Sequence, residues 1–141
     1  MSFAVAFAPV FIQVGLTFVL LFAAGITRVR LVRRGMVKAA DVALRQAKWP
    51  EKATQLINAY QNQLELPVLF YLLMVAAFFS GHMTMTLTVL SWLFVGARLL
   101  HALVHVTTNH MGRRFFLFLA GALILLAMWV VFLVEVLVSG A

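Results

Sequence analysis

The sequence lacks cysteine altogether, and it contains only three prolines and four acidic residues. Without cysteine there can be no disulfide, no thiolate nucleophile and no cysteine-ligated metal or cluster. Charged residues make up only 11% of the 141 positions, whereas hydrophobic residues make up 65%. A soluble domain of this length needs much more charge to cover its surface. The composition therefore indicates an integral membrane protein.

The charge that is present is mostly positive and mostly in one place. Eleven lysines and arginines against four acidic residues give a formal net charge of +7, which in a soluble domain would suggest nucleic-acid binding. Eight of these cations lie between Arg28 and Lys52, as is typical of a cytoplasmic loop facing anionic lipid headgroups. We therefore expect membrane lipid as a partner and no nucleic acid.

Four long apolar runs are separated by short polar segments. About 20 residues are enough to span the hydrocarbon of a bilayer. The runs predict transmembrane helices over residues 3–27, 50–80, 84–107 and 114–138. Residues 28–49 then form a basic loop, and the whole chain, 1–141, forms a single all-α four-helix membrane domain. Pro50 and Glu51 favour the start of a helix, and Pro67 predicts a kink inside the second helix.

The distribution of lysine and arginine predicts how the helices are oriented. The loops after the first and third helices, together with the helix starts that follow them, carry ten of these residues, whereas the N-terminus, the turn at Ser80 and the C-terminal Ser139-Gly140-Ala141 carry none. The positive-inside rule therefore places both termini on the non-cytoplasmic side. No basic residue precedes the first run, so we expect it to be retained as a helix, and the absence of a retention signal favours a bacterial inner membrane over the endoplasmic reticulum.

Two charged residues lie within the predicted spans, where charge is costly and usually faces a protein interior. Glu65 lies 14 residues before Phe79, and Arg98 lies 14 residues after Thr84, each counted from the non-cytoplasmic end of its helix. At 1.5 Å per residue both are about 21 Å from that boundary and thus at the same depth. A carboxylate and a guanidinium at one level can pair.

Polar side chains form one stripe on each of these two helices, since their spacing matches the helical repeat. The stripes comprise Asn58, Asn62 and Glu65 on the second helix, and Arg98, His101 and His105 on the third. Arg113 and Arg114 follow at the start of the fourth helix. Together these residues predict a polar, net-positive pocket that opens to the cytosol and suits an anionic ligand.

Simpler interpretations of the same residues stay open. Glu65 and Arg98 would serve equally as a structural ion pair that fixes helix register. His101 and His105 are spaced to ligate a metal together with Glu65, but no second carboxylate lies at that depth, so we expect no metal. Arg113 and the arginine after it also suit the role of headgroup anchors.

The segment from Asn62 to Phe70, with sequence NQLELPVLF, resembles the second-helix signature of the MAPEG family, the membrane-associated proteins in eicosanoid and glutathione metabolism. Residues 97–102, with sequence ARLLHA, followed by Asn109 and Arg113-Arg114, resemble the third helix of that family and the loop after it. The similarity extends over essentially the whole chain, including its length, its four helices and its long basic loop.

This resemblance implies a homotrimer that binds glutathione between subunits near the cytosolic face. Asn62 and Glu65 match positions that hold glutathione, and Arg98 and His101 match positions that line the pocket. Arg114, or else Arg113, matches the arginine that stabilises the glutathione thiolate. His101 and Arg114 are therefore the candidate catalytic residues.

The chain departs from the family pattern at two places. Members usually carry an arginine shortly before the asparagine, where this chain has Asn58 and Gln61, so one clamp for a glutathione carboxylate is missing. Lys52 or the Arg28–Arg34 cluster is the candidate replacement, and Asn58, from the polar stripe, stays a candidate binding residue. Many members place a tyrosine one turn after His101, where this chain has His105, which can also donate a hydrogen bond. Arg113 completes the set of candidate binding residues.

Two functions follow from the resemblance and its departures. The first is a glutathione-dependent membrane transferase or peroxidase that acts on lipophilic electrophiles. The alternative is a protein with the same fold but no catalysis, which binds lipid or serves as an accessory subunit of a larger membrane complex. Loss of turnover on removing Arg114 would distinguish them.

Overall fold

The structure, a computed structural model, describes residues 2–139, and all its regular elements are helices. The α-helices are α1 (Phe3–Arg33), α2 (Ala39–Ala43), α3 (Glu51–Gln61), α4 (Leu66–Phe79), α5 (Met85–Val106) and α6 (Met111–Ser139). A single 3-10 turn, Asn62–Leu64, joins α3 to α4. Gly140 and Ala141, for which a non-cytoplasmic location was predicted, lie outside the described residues.

Four helical segments are long and apolar enough to cross a membrane. They are Phe3–Arg33, Glu51–Phe79, Met85–Val106 and Met111–Ser139. The second of these includes both α3 and α4 together with the turn between them. The predicted fold class, an all-α bundle of four transmembrane helices, is confirmed.

Helix α1 continues past Thr27, where the sequence predicted its end, and carries the first arginines of the basic segment as part of the helix. Arginine is a good helix former, so these residues extend the helix rather than end it. The helix ends at Arg33, and Gly35 two residues later has a φ of 69°, which permits the left-handed turn of a Schellman motif. The N–H groups of Gly35 and Met36 donate to the carbonyls of Val32 and Leu31.

The second span is broken, and the break lies one turn before Pro67 rather than at the proline itself. Proline has no N–H, and its ring clashes with the carbonyl four residues earlier, which here belongs to Gln63. The helix is interrupted here by the 3-10 turn and by Glu65, whose φ of −101° and ψ of −105° are not helical. Helix α4 then begins at Leu66 with Pro67 in its first turn.

The two ends of the bundle are packed differently. We call the end that carries the loop of residues 34–50 and the α5–α6 turn the basic end. Away from it, buried apolar side chains of α4, α5 and α6 form the larger core, in which the rings of Phe70 and Phe94 stack at 4.7 Å. Towards the basic end the apolar cluster is small, and polar groups are buried instead.

Candidate functional site

A cavity of about 230 Å³ lies at the basic end, between the Asn62–Glu65 turn, α5 and the start of α6. It is lined by Asn62, Glu65, His101, Met111, Arg114, Phe115 and Phe118. Four of the residues that the sequence singled out therefore share one cavity, although they come from three different helical segments. The remaining lining is apolar and comes from α6.

Arg98 lies behind the turn rather than in the cavity. Its side chain is fully buried, and Nη2 donates to the backbone carbonyl of Asn62 at 2.6 Å. Helix α6 can pass over it at Gly121, where a Cβ would come 3.7 Å from Cδ of Arg98. The sequence placed Arg98 in the lining of the pocket, but its guanidinium instead holds the backbone of the turn that presents Asn62. Arg98 is thus a positioning residue.

Glu65 and Arg98 do not form the direct pair that the sequence suggested. Within residues 2–139 no hydrogen bond or ion pair joins them, although the two charges interact through space. The Nε and Nη1 groups of Arg98 have no hydrogen-bond partner in this part of the chain. Glu65 is exposed on the surface of the single subunit, so its carboxylate is free to meet a ligand or a neighbouring molecule.

His105 also lies behind the cavity, where it orients Asn62. The Asn62 Nδ2 group donates to His105 Nδ1 at 3.3 Å, which requires a neutral imidazole with its proton on Nε2. The backbone carbonyl of His105 in turn accepts from Gln55 Nε2 at 2.6 Å. Since His105 is buried and does not line the cavity, its role is to fix the side chain of Asn62.

His101 reaches the cavity with an unsatisfied ring nitrogen. The residue is almost completely buried, and its Nδ1 has no hydrogen-bond partner among residues 2–139. Its ring packs against His105 at 5.7 Å and against Phe118 at 6.0 Å. A buried polar atom without a partner is uncommon, and next to a cavity it is suited to meet a ligand.

The structure distinguishes Arg114 from Arg113. Arg114 is half-buried and lines the cavity, where Nη1 donates to Asn109 Oδ1 at 2.7 Å and the buried Nε has no partner in the described residues. Asn109 has a φ of 51°, a left-handed conformation that asparagine tolerates better than most residues. Arg113 is exposed and outside the cavity. The arginine that faces the site is therefore Arg114.

Asn58 does not join the site. It is exposed and does not line the cavity, and neither do Lys52 and the Arg28–Arg34 segment of the same subunit. Gln61 is turned away, because it lines a different cavity together with Arg28. Among residues 2–139 no group of three histidine or carboxylate side chains is arranged to hold a metal ion.

The apolar lining from α6 was missed by the sequence analysis. Met111, Phe115 and Phe118 are spaced i, i+4 and i+7, so they lie on the same face of α6 as Arg114. This spacing was visible in the sequence and would have identified them once Arg114 was singled out. They give the polar cavity a hydrophobic wall.

The four spans and the cavity define a multi-pass membrane protein with a polar site at one end of its bundle. A sequence model described as the MAPEG family matches residues 6–134, nearly the whole chain, and the chain belongs to this family. Members of the family generally use glutathione and form trimers. No curated protein and no solved structure matches the chain.

Proposed function

We propose that the protein is a glutathione-dependent membrane transferase or peroxidase that acts on lipophilic electrophiles and works as a homotrimer. The observation that carries this proposal is that Asn62, Glu65, His101 and Arg114 line one cavity. These are the residues through which the family resemblance implies glutathione binding. They come together here although the turn before Pro67 interrupts the second span.

The polar groups of the cavity fit the groups of glutathione, which is a tripeptide with one amine, two carboxylates and one thiol. Glu65 presents an exposed carboxylate for the amine. Arg114 and His101 both line the cavity, and within residues 2–139 each has a buried nitrogen, Nε and Nδ1 respectively, without a hydrogen-bond partner. Asn62 is held from behind by Arg98 and His105, so its amide is fixed in place before a ligand arrives.

The size of the cavity supports an assembly of several copies. Its volume of about 230 Å³ is below the roughly 300–1,000 Å³ of ordinary ligand pockets, so one subunit offers only part of a site. The exposed carboxylate of Glu65, on a membrane span, also calls for a cover, since charge there is costly. A neighbouring copy that closes the cavity would meet both needs.

The chemistry assigned to the chain's own residues is electrostatic. Bound glutathione supplies a thiol nucleophile. The guanidinium of Arg114, held by Asn109, lowers the pKa of a neighbouring thiol and so raises the fraction of reactive thiolate at neutral pH. Phe115 and Phe118 form the apolar wall against which a lipophilic electrophile can pack.

We place the basic end in the cytoplasm and both termini on the opposite side, in a bacterial inner membrane. The support for this orientation is the positive-inside rule, because the lysines and arginines concentrate at one end of the bundle. Glutathione is a water-soluble cytosolic thiol, so this orientation gives it direct access to the cavity.

The test compares two adjacent arginines. Arg114→Ala should lower kcat/KM for conjugation of glutathione to a generic aryl halide by about 100-fold, because it removes a charge aimed at the developing thiolate. Arg113→Ala is the matched control, since Arg113 is exposed and outside the cavity, and it should leave turnover unchanged. Thermal unfolding in detergent should be the same for both variants.

Calorimetric titration of the wild-type protein with glutathione completes the test. Binding in the micromolar to low millimolar range, with a thiolate absorbance that Arg114→Ala abolishes, supports the enzyme. A wild-type protein that neither binds glutathione nor turns over the aryl halide would overturn the proposal. The non-catalytic alternative, a lipid-binding or accessory subunit, would then replace it, and copurification with a partner complex would identify it.

A further inference from the structure

A second, larger site lies between the end of α1, the basic loop and α3, and none of the residues of the candidate glutathione site lines it. Its polar part is a cavity of about 610 Å³, whose lining includes Arg28, Arg45, Trp49 and Gln61. The guanidinium of Arg28 lies 5.0 Å from the centre of the Trp49 ring, a cation–π contact that holds it in place. This cavity therefore presents two cations and an aromatic ring at the basic end of the bundle.

An apolar groove continues from this cavity along α1. The next stretch of the groove, about 480 Å³, shares Arg28, Val42 and Trp49 with the polar cavity. A third stretch, about 540 Å³, is lined by α1 alone and extends to Leu21. It shares Gly25, Val29 and Arg33 with the second stretch, and Arg30 also lies in its lining near the basic end. From Arg28 back to Leu21 the helix rises about 10 Å, so the groove runs from the basic end towards the middle of the span.

Gly25 lies in the lining of both apolar stretches of the groove. A Cβ built on it would meet no atom of residues 2–139 within 4 Å. Packing of α1 against its neighbours therefore does not explain the small residue at this position. A side chain at residue 25 would instead project into the groove and fill it.

We propose that this groove binds an anionic phospholipid, with the phosphate of the headgroup at Arg28 and Arg45 and an acyl chain along Gly25, Val29 and Leu21. Its polar and apolar parts follow one another in the order that a lipid requires. Arg45 is held at the rim of the cavity by the turn that ends α2, in which it takes the left-handed position with a φ of 58° and its N–H donates to the carbonyl of Val42.

Charge favours a lipid over a second copy of the chain as the occupant. Among the described residues, no carboxylate lines any of the three stretches. The chain has only four acidic residues, against eight cations between Arg28 and Lys52, so copies of the protein cannot neutralise this region for each other. The counter-charge must come from outside the protein, and a membrane supplies it in its anionic headgroups.

The experiment measures lipid retained by the purified protein in non-ionic detergent, using native mass spectrometry with phosphatidylglycerol and phosphatidylcholine of identical acyl chains. The wild-type protein should prefer phosphatidylglycerol by about tenfold, because two arginines face its phosphate and no acid opposes them. Gly25→Leu should weaken binding of both lipids by about tenfold by excluding the acyl chain. Replacing both Arg28 and Arg45 with glutamine should abolish the preference between headgroups.

Gly15→Leu is the matched control. Gly15 is exposed on the same helix, also has nothing within 4 Å of its missing Cβ, and lies outside the groove. Lipid binding to this variant should equal that of the wild-type protein. Unchanged binding in Gly25→Leu, or a headgroup preference that survives loss of both arginines, would overturn the proposal.

Competition separates the lipid from other occupants. Neither inorganic phosphate nor glutathione should displace the lipid, because neither can fill the apolar part of the groove. Displacement by phosphate would mean an anion site without a lipid site, and displacement by glutathione would mean that the groove belongs to the thiol site. A change of oligomeric mass in Gly25→Leu without a change in lipid binding would mean that a second copy covers the groove. Each of these results would overturn the proposal.

Discussion

Away from the basic end, nine buried apolar side chains of α4, α5 and α6 pack into one core, whereas near the basic end the buried apolar cluster is reduced to Leu20, Ala59 and Ala102. The buried polar and charged side chains near the basic end include Gln55, Gln63, Arg98, His101 and His105. Two of them, Arg98 and His105, form hydrogen bonds to Asn62 in the turn. The apolar half thus provides most of the packing, and the polar half holds the residues of the candidate site in place.

The largest effect on stability is expected from the apolar half. Phe94→Ala should lower the free energy of unfolding by about 2 kcal/mol, because it leaves a cavity in a closely packed region and helix association in lipid depends on such packing. Unfolding in a titration with sodium dodecyl sulfate measures this loss. Leu93→Ala, which changes an exposed neighbour on α5, is the control and should have little effect.

Glutathione affinity of the folded fraction should be unchanged in Phe94→Ala, since the ring of this residue stacks on Phe70 of α4 and does not line the cavity. A variant that keeps its stability but loses its affinity would contradict the assignment of packing to one half and position to the other.

The opposite pattern is expected for Arg98→Met. The variant loses the hydrogen bond to the Asn62 carbonyl but also removes two buried donor groups that have no partner among residues 2–139, so its stability should stay within about 1 kcal/mol of wild type. Amide hydrogen exchange over residues 62–66 should accelerate, and glutathione affinity should fall by about tenfold, because the Arg98 guanidinium no longer holds the turn.

The exchange measurement does not depend on glutathione, so it tests the positioning role of Arg98 separately from the proposed function. Unchanged exchange in the turn, combined with a loss of stability as large as that of Phe94→Ala, would show that Arg98 belongs to the packing instead.

The smallest effect is expected at the hydrogen bond that joins α1 to the turn. Gln13 Nε2 donates to Gln63 Oε1 at 2.9 Å, and both residues are buried. A double-mutant cycle with Gln13→Leu and Gln63→Leu should give a coupling energy of about 0.6 kcal/mol, which is typical of hydrogen bonds between membrane helices. A coupling near 2 kcal/mol would mean that buried polar contacts also supply the main stability of this half.

Much of the fold was predictable from the sequence, because long apolar runs have few solutions in a bilayer. Helical spacing also predicted a polar pocket, and Asn62, Glu65, His101 and Arg114 of that prediction line one cavity, whereas Arg98 and His105 lie behind it. What spacing could not supply was the difference between Arg114 and Arg113. Neighbours in sequence point about 100° apart on a helix, and only packing shows which of them turns inward.

The break in the second span explains why other predictions differ from the structure. Grouping Asn58 with Glu65 assumed a continuous helix, in which residues seven apart share a face. The 3-10 turn has about 3.0 residues per turn, and with Glu65 out of helical geometry it rotates α4 relative to α3. Asn58 lies one helical turn before Asn62 on α3, where it is exposed and outside the cavity. Proline predicts an interruption, but the local turn that replaces the helix depends on its neighbours, here Arg98.

The exposed carboxylate of Glu65 also bears on biogenesis. A newly inserted chain carries this charge on its membrane surface until something covers it, and a charge in the middle of a span costs roughly 2.5–3.5 kcal/mol on insertion scales. In the proposed trimer, association hides it. The exposed Glu65 charge would therefore distinguish an unassembled subunit from one in the trimer. Unassembled copies would then be open to recognition by the quality-control proteases of the membrane.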